Sequence, residues 1–273
     1  MLVTVQNGSC QFDVDLSGDH YGEDYWRSIA GGKYEPDTLS FLFRNLASDA
    51  LFLDIGAANG AMSLIGACLG ATVISFEPLP HMFRILERNV EINKNLRKKI
   101  TLKNLAVSSF SGVINFSQNA NPQVLSDIVF SVLTPEDSGQ SVSVTTLHEE
   151  LKQLDLEKFT KVVIKIDIEG GERALIFDQV TMSEFQRTKA LVLLALHPGF
   201  HRPHRNKIVG TKTITFAIWK IRNFIDSYLI FKRLSRFASI RRTNLDLVTS
   251  AGKFSLLSVA GYFEFIINFG EQK

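Results

Sequence analysis

A short apolar strand that runs directly into a glycine-rich turn and then into a helix is the strongest constraint on the fold. The sequence LFLDI at 51–55 is followed by GAANG at 56–60 and by the small-residue segment AMSLIGACLG at 61–70. Glycines permit tight backbone geometry and the close approach of a ligand. A turn of this kind between a strand and a helix is typical of nucleotide-binding sites in α/β proteins.

Strands and helices alternate along the chain after this turn. The predicted strands are ATVISF (71–76), KITLKNLAV (99–107), VSVTTL (142–147), KVVIKIDI (161–168), KALVLLAL (189–196) and a final FEFIINF (263–269). The fourth and fifth of these are nearly continuous apolar runs, which is typical of strands buried on both faces. The pattern predicts an α/β fold with an open, mainly parallel sheet and helices on both faces.

Two carboxylates flank the turn and indicate the kind of cofactor. Asp54 stands just before it, and Glu77 ends the next strand 23 residues later, where a carboxylate can accept hydrogen bonds from both hydroxyls of a ribose. Dinucleotide sites and S-adenosyl-L-methionine sites share this layout. Position 58 is alanine where a dinucleotide site favours glycine, and S-adenosyl-L-methionine carries an ammonium and a sulfonium instead of a phosphate. The details favour S-adenosyl-L-methionine, and an NAD(P)-dependent oxidoreductase is the alternative.

Two blocks of sequence resemble a known family. The run FLDIGAANGAMSLIGACLGATVISFEP (52–78) is similar to class I S-adenosyl-L-methionine-dependent methyltransferases, and VVIKIDIEGGE (162–172) resembles the signature of the FkbM family within them. The resemblance covers roughly 34–197. It implies a Rossmann-like seven-strand fold and O-methylation, commonly of sugars or natural products. A non-catalytic S-adenosyl-L-methionine-binding protein of the same fold is the second functional hypothesis.

The resemblance also implies roles for particular residues. Asp54, Gly56, Asn59 and Gly60 would line the methionine part of the cofactor, Glu77 would hold its ribose, and Asn104 would lie near its adenine. Two positions depart from the family pattern, because His148 stands where aspartate is common and Ala195 stands where glutamate is common.

Methyl transfer to a hydroxyl requires a base beside the cofactor to remove the proton. The candidates at the ends of predicted strands are Asp167, Glu169 and His197. The imidazole of His197 titrates near neutral pH, which suits a base, but it could equally end a strand bonded to backbone. Glu172 could share in the chemistry or only stabilise the start of the following helix. No metal site is predicted.

A basic block lies at 201–242 and carries a net charge of +10, so that the rest of the chain sums to −8. Within it, Ile214, Ile218, Ile221, Ile225, Tyr228 and Leu229 fit one helical face. The block is either an ordinary amphipathic helix with a solvated cationic face or an interfacial helix on an anionic membrane. A nucleic-acid surface is the third option, and no nucleic-acid partner is expected. The expected partner is a sugar or glycan acceptor, which could be lipid-linked.

The domain expectation is an N-terminal hairpin and helix extension at 1–48 and a methyltransferase domain at 49–273 with a basic helical insertion at about 201–242. The first residues lack the basic and apolar regions of a cleaved signal peptide, and only two cysteines occur. These features predict a cytoplasmic protein, with peripheral membrane contact as a variant.

Overall fold

The computed structural model describes residues 1–19, 21–116, 140–168, 171–196, 212–243, 246–259 and 264–271, without the side chains of 115, 116, 140, 212–219 and 222. In chain order the elements are β1 (Leu2–Asn7), β2 (Cys10–Asp15), α1 (Gly22–Ala30), α2 (Pro36–Asn45), β3 (Ala50–Ile55), α3 (Ala61–Cys68), β4 (Thr72–Phe76), α4 (Pro80–Ile92), α5 (Lys94–Arg97), β5 (Ile100–Lys103), β6 (Ala106–Ser108), β7 (Gly112–Phe116), β8 (Gln140–Thr146), α6 (Leu147–Leu151), β9 (Lys161–Ile166), α7 (Glu172–Phe177), α8 (Gln179–Arg187), β10 (Leu191–Ala195), α9 (Lys212–Leu234), β11 (Ser239–Arg242), α10 (Ala251–Val259) and β12 (Glu264–Asn268).

The central sheet has seven strands in the order β11-β12-β10-β9-β3-β4-β5. The strands from β10 to β5 are parallel to one another, whereas β12 runs antiparallel to both of its neighbours. All six residues of β3 and five of the six in β9 are buried, as the continuous apolar runs predict. The predicted α/β class with a mainly parallel seven-strand sheet is confirmed.

The two faces of the sheet bury separate apolar clusters. Leu53 and Ile164 point into one cluster with side chains of α6 to α10, and Phe52 and Val163 point into the other with side chains of α1 to α4. This alternation follows from the two-residue period of a strand. Helices therefore cover both faces, as expected.

The order in which strands are added to the sheet reverses at β3. The chain leaves β3 through α3 to reach β4 on one side, whereas β9 pairs with β3 on the other side. A crevice opens at the carboxyl ends of strands at such a reversal, and ligands bind there in open α/β sheets. The glycine turn predicted to bind a ligand follows β3 directly.

The predicted third strand at 99–107 is wrong as a single element. It divides at Asn104 into β5, which belongs to the central sheet, and β6, which belongs to a separate sheet of order β6-β8-β7. The Asn104 side chain donates to the backbone oxygens of Glu77 and Pro78, at 2.8 and 3.1 Å, and so anchors the chain where it changes sheets. The predicted strand at 142–147 falls in β8 of the small sheet.

The basic block is not helical throughout. Helix α9 ends at Leu234, and Ser239–Arg242 form β11, an edge strand of the central sheet. Part of the block, 201–211, lies outside the described residues. Within the described part of the chain, no helix combines the length and the apolar character needed to cross a membrane.

The predicted N-terminal hairpin is present as β1 and β2, joined at Asn7 and Gly8. Its inward side chains Val5, Phe12 and Val14 belong to the same apolar cluster as Leu64 of α3. The extension therefore packs directly on one face of the central sheet.

Candidate active site

A cavity of about 320 Å³ opens at the carboxyl ends of β3, β4 and β9. Its volume lies within the usual range of small-molecule sites, roughly 300–1,000 Å³. Its walls include Tyr21, Tyr25, Tyr34, Glu35, Asp54, Gly56, Ala58, Asn59, Met62, Glu77, Leu79, Met82, Leu105, Val107, Lys165 and Asp167. Five of the nine residues predicted for the site come together here: Asp54, Gly56, Asn59, Glu77 and Asp167.

Asp54 is fully buried at the end of β3. Its Oδ2 accepts a hydrogen bond from Ser63 Oγ at 2.6 Å, and Ser63 Oγ in turn accepts from Ser75 Oγ at 2.7 Å. Its Oδ1 has no hydrogen-bond partner among the described residues. Burial raises the pKa of this carboxyl, and the nearby Lys165 ammonium opposes the rise. A buried carboxylate oxygen without a partner suits a ligand that brings a cation or a donor.

The glycine turn is shaped first by packing. Gly56 has φ +87°, and a Cβ there would stand 1.9 Å from the backbone oxygen of Asp167. Gly60 has φ +90° and packs behind the cavity wall, where a Cβ would meet Leu86 Cδ1 at 2.5 Å. Gly56 lines the cavity, whereas the predicted contact of Gly60 with the cofactor stays a prediction.

Asn59 supplies a second unsatisfied polar atom. Its Oδ1 accepts from the Tyr25 hydroxyl at 3.3 Å, and its Nδ2 is buried with no hydrogen-bond partner in the part of the chain that the structure describes. The wall therefore presents an open acceptor on Asp54 and an open donor on Asn59. This pair is complementary to the ammonium and carboxylate of an amino acid.

Glu77 follows β4 and is almost fully buried. Its Oε2 accepts from the backbone N–H of Ala58 at 3.0 Å, and its Oε1 accepts from the backbone N–H of Leu79 at 2.9 Å. Burial raises the pKa of this carboxyl to about 7, against the lowering effect of the two N–H groups. Each oxygen keeps a lone pair for a further donor such as a ribose hydroxyl.

Asn104 is exposed, and its side-chain amide is engaged with the Glu77 and Pro78 carbonyls. The cavity wall next to it is formed by Leu105, Ala106 and Val107. The predicted position of Asn104 near adenine stays a prediction.

Lys165, a buried lysine, also lines the cavity and was not predicted as a site residue from the sequence. Lys165 Nζ lies 2.7 Å from Asp167 Oδ2. Burial works against its charge, but the carboxylates of Asp167, Asp54 and Glu35 outweigh burial and hold its pKa above the ordinary value. A lysine inside the apolar run KVVIKI was the signal available, because a charged residue in a doubly buried strand needs a partner.

Glu35 was also missed, because it comes from the N-terminal extension. It lines the cavity with a left-handed backbone, φ 41°, immediately before α2. Burial raises the pKa of its carboxyl, the Lys165 ammonium lowers it and the Asp167 carboxylate raises it. Asp37, the second residue of α2, accepts from Thr243 Oγ1 at 2.6 Å.

Glu264 of β12 stands beside Ala195 of β10 in the strand register. Its Oε1 accepts from Thr38 Oγ1 at 3.1 Å. Burial, and then the Glu35 charge, raise the pKa of Glu264 to about 7. The family resemblance implies a glutamate at the position occupied by Ala195. In this chain a carboxylate lies instead on the neighbouring strand, at the residue paired with Ala195.

Several predicted residues remain to be placed. Glu169 and His197 lie outside the described residues. Glu172 is buried in the first turn of α7, where a carboxylate is stabilised by the helix dipole. Among the described side chains, no group of three or more His, Cys, Asp or Glu residues is arranged to hold a metal ion.

Three tyrosines, Tyr21, Tyr25 and Tyr34, line the cavity together. The rings of Tyr21 and Tyr34 each lie 4.7 Å from that of Tyr25. The neighbouring Trp26 is fully buried, and its Nε1 donates to Asp19 Oδ2 at 2.7 Å.

A mainly parallel seven-strand sheet, with a glycine turn and a carboxylate-rich cavity where the strand order reverses, defines the Rossmann-like fold of class I methyltransferases. A family model described as a methyltransferase FkbM domain matches residues 54–206, more than half of the sequence. The chain belongs to the FkbM methyltransferase family, and its cofactor is S-adenosyl-L-methionine. The family excludes the oxidoreductase alternative.

Solved structures match the chain at low identity. TYW2 from Pyrococcus horikoshii, in complex with MeSAdo, is 15% identical over 40% of this chain and 42% of that chain, with a TM-score of 0.27. Precorrin-6y C5,15-methyltransferase from Geobacter metallireducens is 14% identical over 77% and 74%, with a TM-score of 0.36. A TehB-like SAM-dependent methyltransferase from Corynebacterium glutamicum is 9% identical over 94% and 99%, with a TM-score of 0.37.

The chain spans 44% and 42% of the length of two matched structures from Pyrococcus horikoshii. No curated protein matches the sequence significantly.

The residues present fit S-adenosyl-L-methionine. The open Asp54 oxygen and the open Asn59 amide match an amino-acid end, the Glu77 carboxylate matches a diol, and the acidic surroundings of the cavity match a sulfonium.

Proposed function

We propose that this methyltransferase transfers its methyl group to a hydroxyl oxygen of a sugar or glycan. The observation that carries the proposal is the placement of Glu35 on the cavity wall, with a carboxyl pKa raised by burial. A sugar hydroxyl is a poor nucleophile until its proton is removed, and a carboxylate with a raised pKa is a better base than an exposed one.

The protein's task is to hold the acceptor oxygen in line with the methyl group and to remove its proton. S-adenosyl-L-methionine supplies a methyl carbon on a positively charged sulfur, which is already a good electrophile. In the proposal, Asp54 and Asn59 hold its amino-acid end and Glu77 holds its ribose. These assignments match the unsatisfied atoms and hydrogen bonds described above.

Glu35 is the residue we assign to take the hydroxyl proton. Asp167 is the other described candidate, but its carboxylate is bonded to the Lys165 ammonium at 2.7 Å. An ion pair of this kind stabilises the ionised carboxylate and weakens it as a base. Glu169 and His197 stay candidates from the sequence.

The tyrosines that line the cavity are suited to binding a saccharide. Tyrosine rings offer flat apolar surface and hydroxyl groups that donate and accept hydrogen bonds. Tyr21 and Tyr34 stand at the cavity together with the Glu35 carboxylate, which can accept from acceptor hydroxyls. The site therefore combines apolar faces and hydrogen-bonding groups, as a sugar ring does.

The test is an acceptor panel with isotopically labelled S-adenosyl-L-methionine and mass spectrometry. Saccharides, amines and thiols are offered separately, and we expect a labelled methyl ether on a saccharide. Glu35→Gln should abolish transfer while calorimetry shows unchanged cofactor binding. Glu157→Gln, at an exposed glutamate, is the matched control.

Two results would contradict the proposal. Transfer to amines or thiols without transfer to oxygen would refute O-methylation. Cofactor binding with no transfer to any acceptor would favour the non-catalytic alternative.

We place this reaction in the cytoplasm as part of the same proposal. Cys10 and Cys68 are both free thiols, which suits a reducing compartment. Fractionation of cells that express the full chain, with activity measured in each fraction, tests this location.

A further inference from the structure

Helix α9 exposes an apolar stripe that no described element covers. Ile221, Ile225, Tyr228 and Leu229 are 38–58% exposed. Their spacing of i, i+4, i+7 and i+8 places them on one side of the helix, and Lys232 continues the same side. We call these five residues the α9 stripe.

The helix is anchored through its opposite side. Ile230, Phe231 and Leu234 are buried, and the Phe231 ring lies 5.5 Å from that of Phe254 in α10. The Ser227 and Ser258 hydroxyls bond at 3.0 Å. The α9 stripe is therefore a true outer face of a helix that already packs on the domain.

Neighbouring side chains widen this apolar surface. Phe177 and Val180 are also exposed, at the junction of α7 and α8. Two bridges hold this junction along α9, from Arg173 to Asp226 and from Arg233 to Gln179 Oε1, each at 2.7 Å.

The charge around the stripe is positive. Lys220, Lys232 and Arg236 are exposed, and Lys232 Nζ lies 5.7 Å from the centre of the Tyr228 ring. The acid on α9, Asp226, is neutralised by Arg173. Apolar side chains flanked by exposed cations are the composition of helices that lie in the headgroup region of anionic bilayers.

We propose that the α9 stripe, with Phe177 and Val180, docks this methyltransferase on the surface of an anionic lipid membrane. The apolar side chains would enter the headgroup boundary while Lys220, Lys232 and Arg236 contact lipid phosphates. A nucleic acid would satisfy the cations but leave the large apolar side chains without partners. The docking surface does not depend on the acceptor proposed above.

The experiment is vesicle flotation of the full chain with phosphatidylcholine alone and with added phosphatidylserine. We expect binding to the anionic vesicles that weakens as salt is raised. The triple variant I221S/I225S/L229S should lose it. The variant K232A/R236A should weaken it by about 25-fold, from roughly five-fold per cation.

Matched controls remove the same chemistry elsewhere. V113S/L256S replaces two exposed apolar residues, and K94A/K98A replaces two exposed lysines; both should bind vesicles as the unaltered chain does. Unchanged thermal melting and cofactor binding show that each stripe variant is folded.

Three outcomes would overturn the proposal. The first is that the unaltered chain does not float with anionic vesicles at low salt. The second is that single-stranded RNA or duplex DNA displaces the chain from those vesicles. In the third, sedimentation shows a dimer that I221S/I225S/L229S dissociates, because the stripe would then be an interface between two copies.

Discussion

Asp54 has two properties expected of a residue that binds a cofactor. Its buried carboxylate keeps one unpartnered oxygen, and burial raises its pKa, so the charged group destabilises the empty protein. We expect Asp54→Asn to weaken S-adenosyl-L-methionine binding about 10- to 100-fold, because a hydrogen bond to a charged group contributes about 1.5–3 kcal/mol. Thermal stability of the free protein should not fall. Calorimetry and thermal melting measure both, and an unaltered affinity would refute the role.

The control for this variant is Asp155→Asn, at an exposed aspartate paired with Lys158. It should leave both the affinity and the melting temperature unchanged, since exposed pairs contribute little.

Glu77 predicts how cofactor affinity depends on pH. Its pKa is raised to about 7 in the free protein, mainly by burial, and only its ionised form can accept from two ribose hydroxyls. Affinity should therefore be constant above pH 7 and fall as pH drops below it, by at most about ten-fold per pH unit. Calorimetry across this range measures the slope.

Glu77→Gln should bind weakly with no slope through this range. Glu264 also titrates near pH 7, so Glu264→Gln is the necessary comparison and should keep the slope. If the slope instead vanishes in Glu264→Gln and persists in Glu77→Gln, the titrating group is Glu264 and the prediction for Glu77 is wrong.

Site residues at the ends of neighbouring parallel strands could be predicted from the sequence. Site residues contributed by distant segments of the chain could not. Asp54 and Glu77 close consecutive parallel strands, whose ends must meet at one edge of the sheet. Glu35 and Glu264 come from opposite ends of the chain and meet only because β12 inserts beside β10 and α2 packs at the same edge. No local pattern contains that information.

At the scale of elements, the glycine turn is fixed by its contact with the end of β9. A methyl group at residue 56 would overlap the Asp167 carbonyl, whereas at Gly18, also with positive φ, it would meet nothing within 4 Å. We expect Gly18→Ala to cost about 1 kcal/mol for the left-handed backbone. Gly56→Ala should cost about 3 kcal/mol more, because the two strand ends must separate. Chemical denaturation compares the two, and equal costs would show that the overlap is relieved without strain.

The elements were predictable where burial decides the pattern. Strands β3, β4, β9 and β10 were predicted correctly because both faces of the sheet are covered there and most of their residues are apolar and buried. Strand β11 was missed because its sequence, SIRR, is short and carries two arginines, so it shows no apolar run. The division of β5 from β6 depends on tertiary hydrogen bonds of Asn104, which the apolar pattern does not contain.

At the scale of the whole molecule, acidic and basic side chains are concentrated in two different places. Acidic side chains surround the cavity, where the cofactor brings positive charge, and Lys165 is the buried cation that they share. Exposed cations gather on α9 and in the turn that follows it. The nearly neutral total of +2 therefore conceals an acidic cavity and a cationic helix surface.

The N-terminal extension should unfold together with the rest of the molecule. Asn93, at the end of α4, accepts from the backbone N–H of Asp13 at 2.8 Å and donates to its carbonyl at 2.7 Å. Strand β2 is thereby bonded to the methyltransferase domain as well as packed on it. The Asn93 side chain also donates to the Asn89 carbonyl at 2.7 Å. We expect Asn93→Ala to lower the free energy of unfolding by about 3 kcal/mol, at roughly 1 kcal/mol per hydrogen bond.

The measurement uses a Trp219→Phe background, so that fluorescence reports only Trp26, which lies in the extension and is fully buried. Its denaturation midpoint should coincide with that of circular dichroism, and Asn93→Ala should shift both equally, since one cooperative unit gives coincident transitions. Asn95→Ala, at an exposed asparagine, should shift neither. A separate earlier fluorescence transition would instead mean that residues 1–48 form an independent unit.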